Sequence, residues 1–353
     1  MTRRVRVAVS AAVVLCAVTA ALPAAASSHV AGGSVERISV AADGTQGDGA
    51  STGASITPDG RSVVFQSSAT NLTAEGTTGG DRVHVRDLLA ALTRQLGPLV
   101  PLQPPVISGN GEYLAYPVRW FNDARIRMYQ VATGRTASVD CSAYSCDQPT
   151  MSADGRSVAH VIRFKPPLTG QRVEVQNWNT GAKETVADLP HTVPPRPSLS
   201  GDARYVAYQD GQDIFLRDRT TATTTGPVEG PAVAATLVQL SDDGSTVIYL
   251  AGTDTYAYDV PTGTTRLIPD VRGVAVDPTG RHLLYTPNDP GTPSLTLLDL
   301  TTGTEETVSG PPASAGPDAV SAGGRDVVFQ STADDLVPGD TNGVSDVFVR
   351  HFD

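Results

Sequence analysis

The chain has 353 residues, with 37 acidic and 26 basic side chains and a formal net charge of −11 at pH 7. Nucleic-acid binding needs a cationic surface that releases counterions, so this acidic balance argues against a nucleic-acid partner. Acidity of this size mainly favours solubility.

The first segment has the organisation of a secretory leader. Three arginines (Arg3, Arg4 and Arg6) precede an apolar stretch over 7–22, which is too short to be a comfortable membrane span. Ala24, Ala25 and Ala26 supply the small residues of a cleavage site. We therefore predict a signal peptide over 1–26, a short linker over 27–34, and a secreted mature chain without a membrane span. A lipoprotein is the weaker alternative, because Cys16 follows the bulky Leu15.

Removal of that leader takes away three basic residues and no acidic ones. The mature chain then carries 23 basic against 37 acidic side chains, a net charge of 23 − 37 = −14. The case against a nucleic-acid partner becomes stronger.

A short phrase recurs seven times along the rest of the chain: an alternating apolar strand, a Gly/Asp-rich turn and a second strand. The turns are Pro58-Asp59-Gly60, Gly109-Asn110-Gly111, Ala153-Asp154-Gly155, Gly201-Asp202-Ala203, Asp242-Asp243-Gly244, Pro278-Thr279-Gly280 and Ala322-Gly323-Gly324. We expect two-residue hairpin connections, because Gly, Asn and Asp tolerate positive φ.

Each unit continues with a third alternating strand and a short Thr-rich fourth strand. Ile214-Phe215-Leu216-Arg217 is a clear third strand, and Thr262-Gly263 marks a turn into a fourth. The units begin 36 to 51 residues apart, which is typical of propeller blades, whereas immunoglobulin-like domains need about 100 residues each. The fold class predicted is all-β: a seven-bladed β-propeller of four-stranded antiparallel blades, formed as a single domain over 35–353.

The two ends of the chain indicate how the ring closes. The last unit, from about Asp318, has only three strands, while 35–40 resembles an isolated fourth strand. Pairing of this N-terminal strand into the last blade would hide sheet edges that otherwise attract other chains. A gap-free similarity between Val63–Arg86 and Val327–Arg350 also indicates that the first and last units arose by duplication.

Two cysteines remain after the leader, Cys141 and Cys146. In an oxidising compartment we expect them to form a disulfide that closes a tight loop.

A weak candidate for calcium is the oxygen-rich stretch that contains Asp340, Asn342 and Asp346. The match is incomplete, because the corresponding residues of the first unit are Gly76, Thr78 and Arg82. We expect no other metal site, since the six histidines are scattered over different units.

The loops between second and third strands differ in length. Those of units one, two, three and seven are long, and a closed ring brings them, with the Cys141–Cys146 loop, to one side of one face. Trp120 and Phe121 lie in the predicted loop from Pro117 to Ala124, whose other residues are mostly polar. Protruding aromatic side chains are common anchors for partners, so these two are the candidate ligand-binding residues.

The repeated turns resemble those of a known family. The phrases Ile56-Thr57-Pro58-Asp59-Gly60-Arg61 and Leu199-Ser200-Gly201-Asp202-Ala203-Arg204 are similar to the WD-type repeats of TolB-like β-propellers. The resemblance covers nearly the whole mature chain and implies the fold, but such repeats occur in periplasmic scaffolds, in lid domains of peptidases and in secreted proteins without an assigned activity. We expect no companion catalytic domain.

The functional hypothesis is a secreted, monomeric binding or scaffold module without a cofactor, for a protein or a cell-envelope polysaccharide. The stretch Gly49–Gly53 fits the letters of a nucleophile elbow but lies in a loop before a strand, where that motif does not work. The alternative is an enzyme with its site in the channel, of lyase or lactonase type, with or without a metal ion. Carboxylates and histidines clustered at the channel mouth would favour that alternative.

Overall fold

A computed structural model describes residues 33–352 apart from 75, 77–79, 143, 191–193, 231–232 and 289–293. The predicted signal peptide and residues 27–32 of the predicted linker lie outside the described residues. Among the described residues there is no helix with the length and apolar character that crossing a bilayer requires.

Strands account for nearly all the regular structure. A short strand, β1 (Val35–Arg37), precedes blade 1, which contains β2 (Ser51–Ile56), β3 (Ser62–Ser67), β4 (Arg82–Asp87) and β5 (Leu92–Gln95). Blade 2 contains β6 (Val106–Ile107), β7 (Tyr113–Trp120), β8 (Asp123–Gln130) and β9 (Thr136–Ser138). Blade 3 contains β10 (Ser145–Met151), β11 (Ser157–Arg163), β12 (Gln171–Asn177) and β13 (Lys183–Leu189).

The remaining blades repeat this order. Blade 4 contains β14 (Ser198–Leu199), β15 (Tyr205–Asp210), β16 (Asp213–Asp218) and β17 (Thr223–Thr225). Blade 5 contains β18 (Ala235–Leu240), β19 (Thr246–Ala251), β20 (Asp254–Asp259) and β21 (Thr264–Ile268). Blade 6 contains β22 (Val271–Val276), β23 (His282–Pro287), β24 (Leu295–Asp299) and β25 (Glu305–Ser309), and blade 7 contains β26 (Asp326–Ser331) and β27 (Asp346–His351).

Blade 7 confirms the predicted closure. β1 pairs antiparallel with β27, so that Val35 lies opposite Arg350, and the sheet order is β1-β27-β26. The innermost position is reduced to two isolated bridges to β26, Ser314 with Gln330 and Val320 with Val327. The two ends of the chain therefore complete one blade, and the predicted seven-bladed propeller is confirmed.

Hydrophobic side chains between neighbouring blades form the core. Each blade is one sheet thick, so both of its faces must be covered by other blades. The cluster at the closure combines Phe65 of blade 1, Leu284 of blade 6 and Phe329 and Phe348 of blade 7. The similarity between the first and last units extends to structure: β3–β4 and β26–β27 pair in the same register.

The turns between first and second strands differ from the two-residue connections expected from the sequence, and that expectation is wrong. Five residues separate β10 from β11. Ser152 Oγ donates to Asp154 Oδ1 at 2.6 Å and accepts the Ser157 N–H at 3.0 Å. Gly155 has positive φ, whereas Asp154 acts as a hydrogen-bond acceptor. The Asp recurs because its carboxylate closes the turn.

A second correction concerns the predicted loop from Pro117 to Ala124. The structure continues the strands through this stretch: β7 and β8 stay paired up to Trp120 opposite Asp123. The result is a long two-stranded hairpin instead of an irregular loop.

Candidate functional site

Because each blade is a meander of four strands, the propeller, or wheel of blades, has two different faces. Turns between first and second strands, and between third and fourth strands, lie on one face, which we call the turn face. Loops between second and third strands and the connections between blades lie on the opposite face, the loop face. By this topology the long loops after β3, β11 and β26 and the Cys141–Cys146 loop all lie on the loop face, as does the tip of the β7–β8 hairpin.

Trp120 and Phe121 form the tip of this hairpin. Their side chains are 47% and 83% exposed, and the two rings meet edge to face with centroids 5.6 Å apart. Phe121 has a φ of 54°, a left-handed conformation that is unfavourable for a residue with a bulky side chain. Backbone strain and exposed aromatic surface therefore coincide at this tip.

The hairpin carries positive charge in an otherwise acidic protein. Arg119, Arg125 and Arg127 form no ion pair with any described residue. The guanidinium of Arg127 lies 5.8 Å from the centroid of the Trp120 ring, within the range of a cation–π contact. Nη1 of Arg125 is buried without a hydrogen-bond partner among the described residues. This surface suits acidic or aromatic groups of a partner.

The predicted disulfide is present and lies next to the hairpin. Cys141 and Cys146 are joined and buried between blades 2 and 3. In the same loop, Ser145 Oγ accepts the N–H of Ala124 at 3.0 Å. The covalent loop therefore supports the base of the hairpin that carries the aromatic tip.

The centre of the loop face opens into the channel through a mouth of about 470 Å³. Of the described residues that line it, only Arg196 and Asp318 are charged. The others that bear on binding are the carboxamides Gln103, Gln148 and Gln239 and a group of prolines, Pro104, Pro105, Pro149, Pro194, Pro197 and Pro317. No described histidine lines this mouth.

Two carboxylates lie deeper in the channel. Asp318 and Asp242 both border an inner cavity of about 30 Å³, which has room for one or two water molecules. Both residues are half-buried, and Asp318 borders the mouth as well as the inner cavity. Burial raises the pKa of Asp318 to about 6. Burial, followed by the negative charges of Asp318, Asp243 and Asp277, raises the pKa of Asp242 to about 7.

The structure brings the calcium candidates together but places a cation of the chain beside them. Asp340 and Asp346 lie 3.2 Å and 3.6 Å from the guanidinium of Arg37. Gln46 Nε2 donates to both carboxylates, and Asn342 Nδ2 donates to Asp346 at 3.2 Å. These groups join the N-terminal segment to blade 7.

The described histidines lie apart from the channel mouth. His84 and His160 are fully buried within blades, and burial lowers the pKa of each to about 4. His351 contacts Asp326, and His282 contacts Asp277. His29 and His191 lie outside the described residues. Among the described residues no three His, Cys, Asp or Glu side chains are grouped as metal ligands would be.

Sequence reasoning missed the residues of the channel mouth. A signal was present: Gln148-Pro149 and Arg196-Pro197 stand in the same place, four residues before the serine of a turn. Gln103-Pro104 precedes the corresponding serine by five residues. The repeat therefore carries side chains that change from blade to blade at a position facing the axis.

No protein-family model and no curated protein matches this sequence. Solved structures do match in shape. An oligogalacturonate lyase in complex with manganese is 15% identical, with a TM-score of 0.67 over 92% of this chain and 95% of its own. An oligogalacturonate lyase from Vibrio parahaemolyticus is 14% identical, with a TM-score of 0.64 over 90% of this chain and 93% of its own.

TolB from Acinetobacter baumannii is 15% identical, and the match covers 83% of this chain and 80% of that one. Its TM-score of 0.48 is too low to support an argument. Likenesses at such low identity are evidence of fold alone. This chain is therefore similar to seven-bladed propellers in architecture.

Proposed function

We propose that this protein is a secreted, non-catalytic binding module that holds a protein partner against its loop face, with Trp120 and Phe121 as anchors. The observation that carries the proposal is the exposed aromatic pair at the tip of a hairpin whose strands stay paired to its end. Trp and Arg dominate the energetics of protein–protein interfaces, and this tip combines both. The leader-like first segment and the disulfide support secretion.

A protein partner fits this surface better than a polysaccharide. The two rings stand edge to face, so they do not form one flat platform on which a sugar ring could stack. The same hairpin carries three arginines without ion pairs among the described residues, and the guanidinium of Arg127 lies over the Trp120 ring. Guanidinium groups bind carboxylates of acidic side chains with defined geometry. The expected partner surface is therefore acidic with an apolar centre.

The test is affinity capture with the purified mature chain. Partners from culture medium and envelope extract are identified by mass spectrometry, produced in pure form and titrated against the wild type and a Trp120→Ala/Phe121→Ala double variant. We expect affinity for the true partner to fall at least about tenfold, as truncation of interface anchors commonly does. The melting temperature should stay close to that of the wild type, because both side chains are exposed.

Leu89→Ala is the matched control. Leu89 is 81% exposed and lies between β4 and β5, on the turn face, so its removal should leave the affinity unchanged. Equal binding by the wild type and the double variant would contradict the proposal. Capture of material that survives protease treatment and carries only sugar would assign the surface to a polysaccharide instead.

A further inference from the structure

Three of the described residues that line the channel mouth, Gln148, Arg196 and Asp318, have the positive φ that glycine adopts at the least cost. The innermost strands of blades 1 and 3 contain a bulge. In blade 1 the left-handed residue of this bulge is Gly53, with a φ of 63°, whereas blades 3 and 4 have Gln148 at 53° and Arg196 at 45° in the same place. A side chain in this conformation costs roughly 1–2 kcal/mol. Blade 1 shows that the fold accepts glycine there, so retention of Gln and Arg suggests a use for their side chains.

The orientation of two carboxamides is fixed by the backbone of the next blade. Gln103 Oε1 accepts the N–H of Gln148 at 3.0 Å, and Gln148 Oε1 accepts the N–H of Arg196 at 3.0 Å. A carboxamide has its acceptor and its donors at opposite ends. Both Nε2 groups are therefore turned away from these bonds, and neither has a partner among the described residues.

Arg196 adds the positive charge. Its guanidinium is exposed at the mouth and forms no ion pair with any described residue. It is the only cation among the described residues that line the mouth. Its charge and the two Nε2 groups come from three consecutive blades, so the donors occupy one side of the opening.

The walls beside these donors are apolar and lack competing N–H groups. Prolines have no backbone donor, and Pro104, Pro149 and Pro197 each follow one of the three residues directly. No aromatic ring occurs among the described residues that line the mouth. A negatively charged group attached to small apolar side chains fits this arrangement better than a sugar ring, which is usually bound against an aromatic face.

We propose that the channel mouth binds the C-terminal carboxylate of a peptide, with Arg196 as the cationic partner and the Nε2 groups of Gln103 and Gln148 as further donors. Capture of a free carboxylate by converging donors is an established mode of peptide recognition. The opening of about 470 Å³ lies within the usual size range of ligand pockets. This site is separate from Trp120 and Phe121, so its test is independent of the function proposed above.

Acidic groups of the channel give the binding a pH dependence. Among the described residues, the charged side chains that line the mouth or the inner cavity are Arg196 of blade 4, Asp242 of blade 5 and Asp318 of blade 7. Asp243 and Asp277 lie close enough to raise the pKa of Asp242. A peptide carboxylate stays ionised at pH 5, whereas Asp318, with its pKa raised to about 6 by burial, is mostly neutral there. Repulsion between the two falls as the pH is lowered, so binding should be tighter at pH 5 than at pH 8.

The test uses the mature chain and three probes in isothermal titration: N-acetyl-trialanine with a free C-terminus, its C-terminal amide, and glucuronate. We expect the free acid to bind at least about tenfold more tightly than the amide. Arg196→Gly should reduce the affinity for the free acid by a similar factor without lowering the melting temperature, because glycine accepts the positive φ.

Ala222→Gly is the matched control, because Ala222 also has positive φ, at 56°, in an exposed turn of blade 4 away from the mouth. This substitution should leave peptide binding unchanged. The proposal is overturned if acid and amide bind equally, if Arg196→Gly binds like the wild type, or if no heat is seen up to about 10 mM peptide. Tighter binding of glucuronate than of the peptide acid would assign the mouth to acidic sugars and also overturn it.

Discussion

The two faces of the wheel are built on different principles. On the turn face the same serine or threonine hydroxyl and the same acidic or amide side chain close the turns of blades 1 to 5. Backbone hydrogen bonds then join the turns of neighbouring blades, as from Ala153 to Gly201 and from Gly201 to Asp242. On the loop face the contacts differ from blade to blade. The repeated turns and the hydrogen bonds between them therefore stabilise the ring on the turn face, and the side chains of the loop face can vary and carry binding groups.

The turns of neighbouring blades lie close together on the turn face, and this explains why their sequences vary so little. A Cβ added to Gly201 would lie 3.2 Å from the carbonyl oxygen of Asp242 and 3.3 Å from the Cβ of Ala153. Larger side chains at this position would push neighbouring turns apart. On the loop face close approaches also occur within a blade, as at Gly170, where an added Cβ would lie 2.6 Å from the carbonyl oxygen of Leu189. Residues such as Gln148 and Arg196 nevertheless differ between blades that share one backbone course.

The largest expected effect comes from an ion pair on the loop face that helps to close the ring. Arg37→Ala leaves Asp340 and Asp346, which are 5% and 0% exposed, without their cation. Loss of one partner of a buried ion pair costs about 3–5 kcal/mol. We expect a strongly lowered denaturation midpoint in urea, and a still larger loss when residues 27–40 are deleted.

Arg61→Ala is the control for Arg37→Ala. It removes an ion pair with Asp87 in which Arg61 is 55% exposed, and such surface pairs contribute about 0–1 kcal/mol. An unchanged midpoint for Arg37→Ala would show that the closure does not depend on this contact. The calcium hypothesis for Asp340, Asn342 and Asp346 is checked in the same assay: stabilisation of the wild type by millimolar calcium would support it.

Strand patterns could be predicted from the sequence, and with them the closure of the ring, but the side-chain contacts between the two ends could not. The recurring turns and strands were visible because each depends on residues close together in the chain, and the closing segment was visible because the last unit lacks one strand of the repeat. The pairing of Arg37 with Asp346 joins residues that are far apart in sequence and have no repeat to reveal them. The turn chemistry of Asp154 was misjudged because positive φ and side-chain acceptance favour the same residue types.

The channel mouth illustrates the same limit at the candidate site. Gln103 and Gln148 are ordinary polar residues in the sequence, and their role as oriented donors appears only when the backbone of the next blade occupies their oxygens. The structure exposes Trp120 and Phe121 at a hairpin tip, whereas the sequence indicated an irregular loop, and their role in binding stays a prediction. Orientation depends on tertiary contacts, whereas exposure follows from local polarity.

The carboxylates Asp242 and Asp318, which border the inner cavity between the two faces, should have an intermediate effect on stability. Their pKa values are raised in the folded state, so the folded protein binds protons more tightly than the unfolded chain. Stability contributed in this way is present at low pH and is lost as the pH rises through about 6 for Asp318 and about 7 for Asp242. In the Asp318→Asn variant the contribution of Asp318 to this loss of stability is absent. We expect its free energy of unfolding at pH 8 to exceed that of the wild type by about 2 kcal/mol, relative to the difference at low pH.

The measurement is the free energy of unfolding in urea at pH 5 to 8, taken as the difference between the variant and the wild type. The difference is needed because His84 and His160, with their pKa values lowered to about 4 by burial, give the wild type an opposite slope below about pH 6.5. Asp87→Asn is the control, because the pKa of Asp87 is lowered and its charge is already present across this range. Parallel pH profiles for Asp318→Asn and the wild type would contradict the assignment.

The smallest expected effect tests whether the turn face is a connected ring or a set of separate turns. Ser152→Ala removes the hydroxyl that bonds Asp154 and the Ser157 N–H, and we expect a loss of about 1 kcal/mol. The neighbouring turn is joined to this one through Ala153 and Gly201. A Ser152→Ala/Ser200→Ala double variant should therefore deviate from additivity by about 0.5 kcal/mol or more. Ser152→Ala combined with Ser321→Ala, in blades that are not neighbours, should be additive, and equal coupling in the two pairs would show that the hydrogen bonds between turns do not connect the blades energetically.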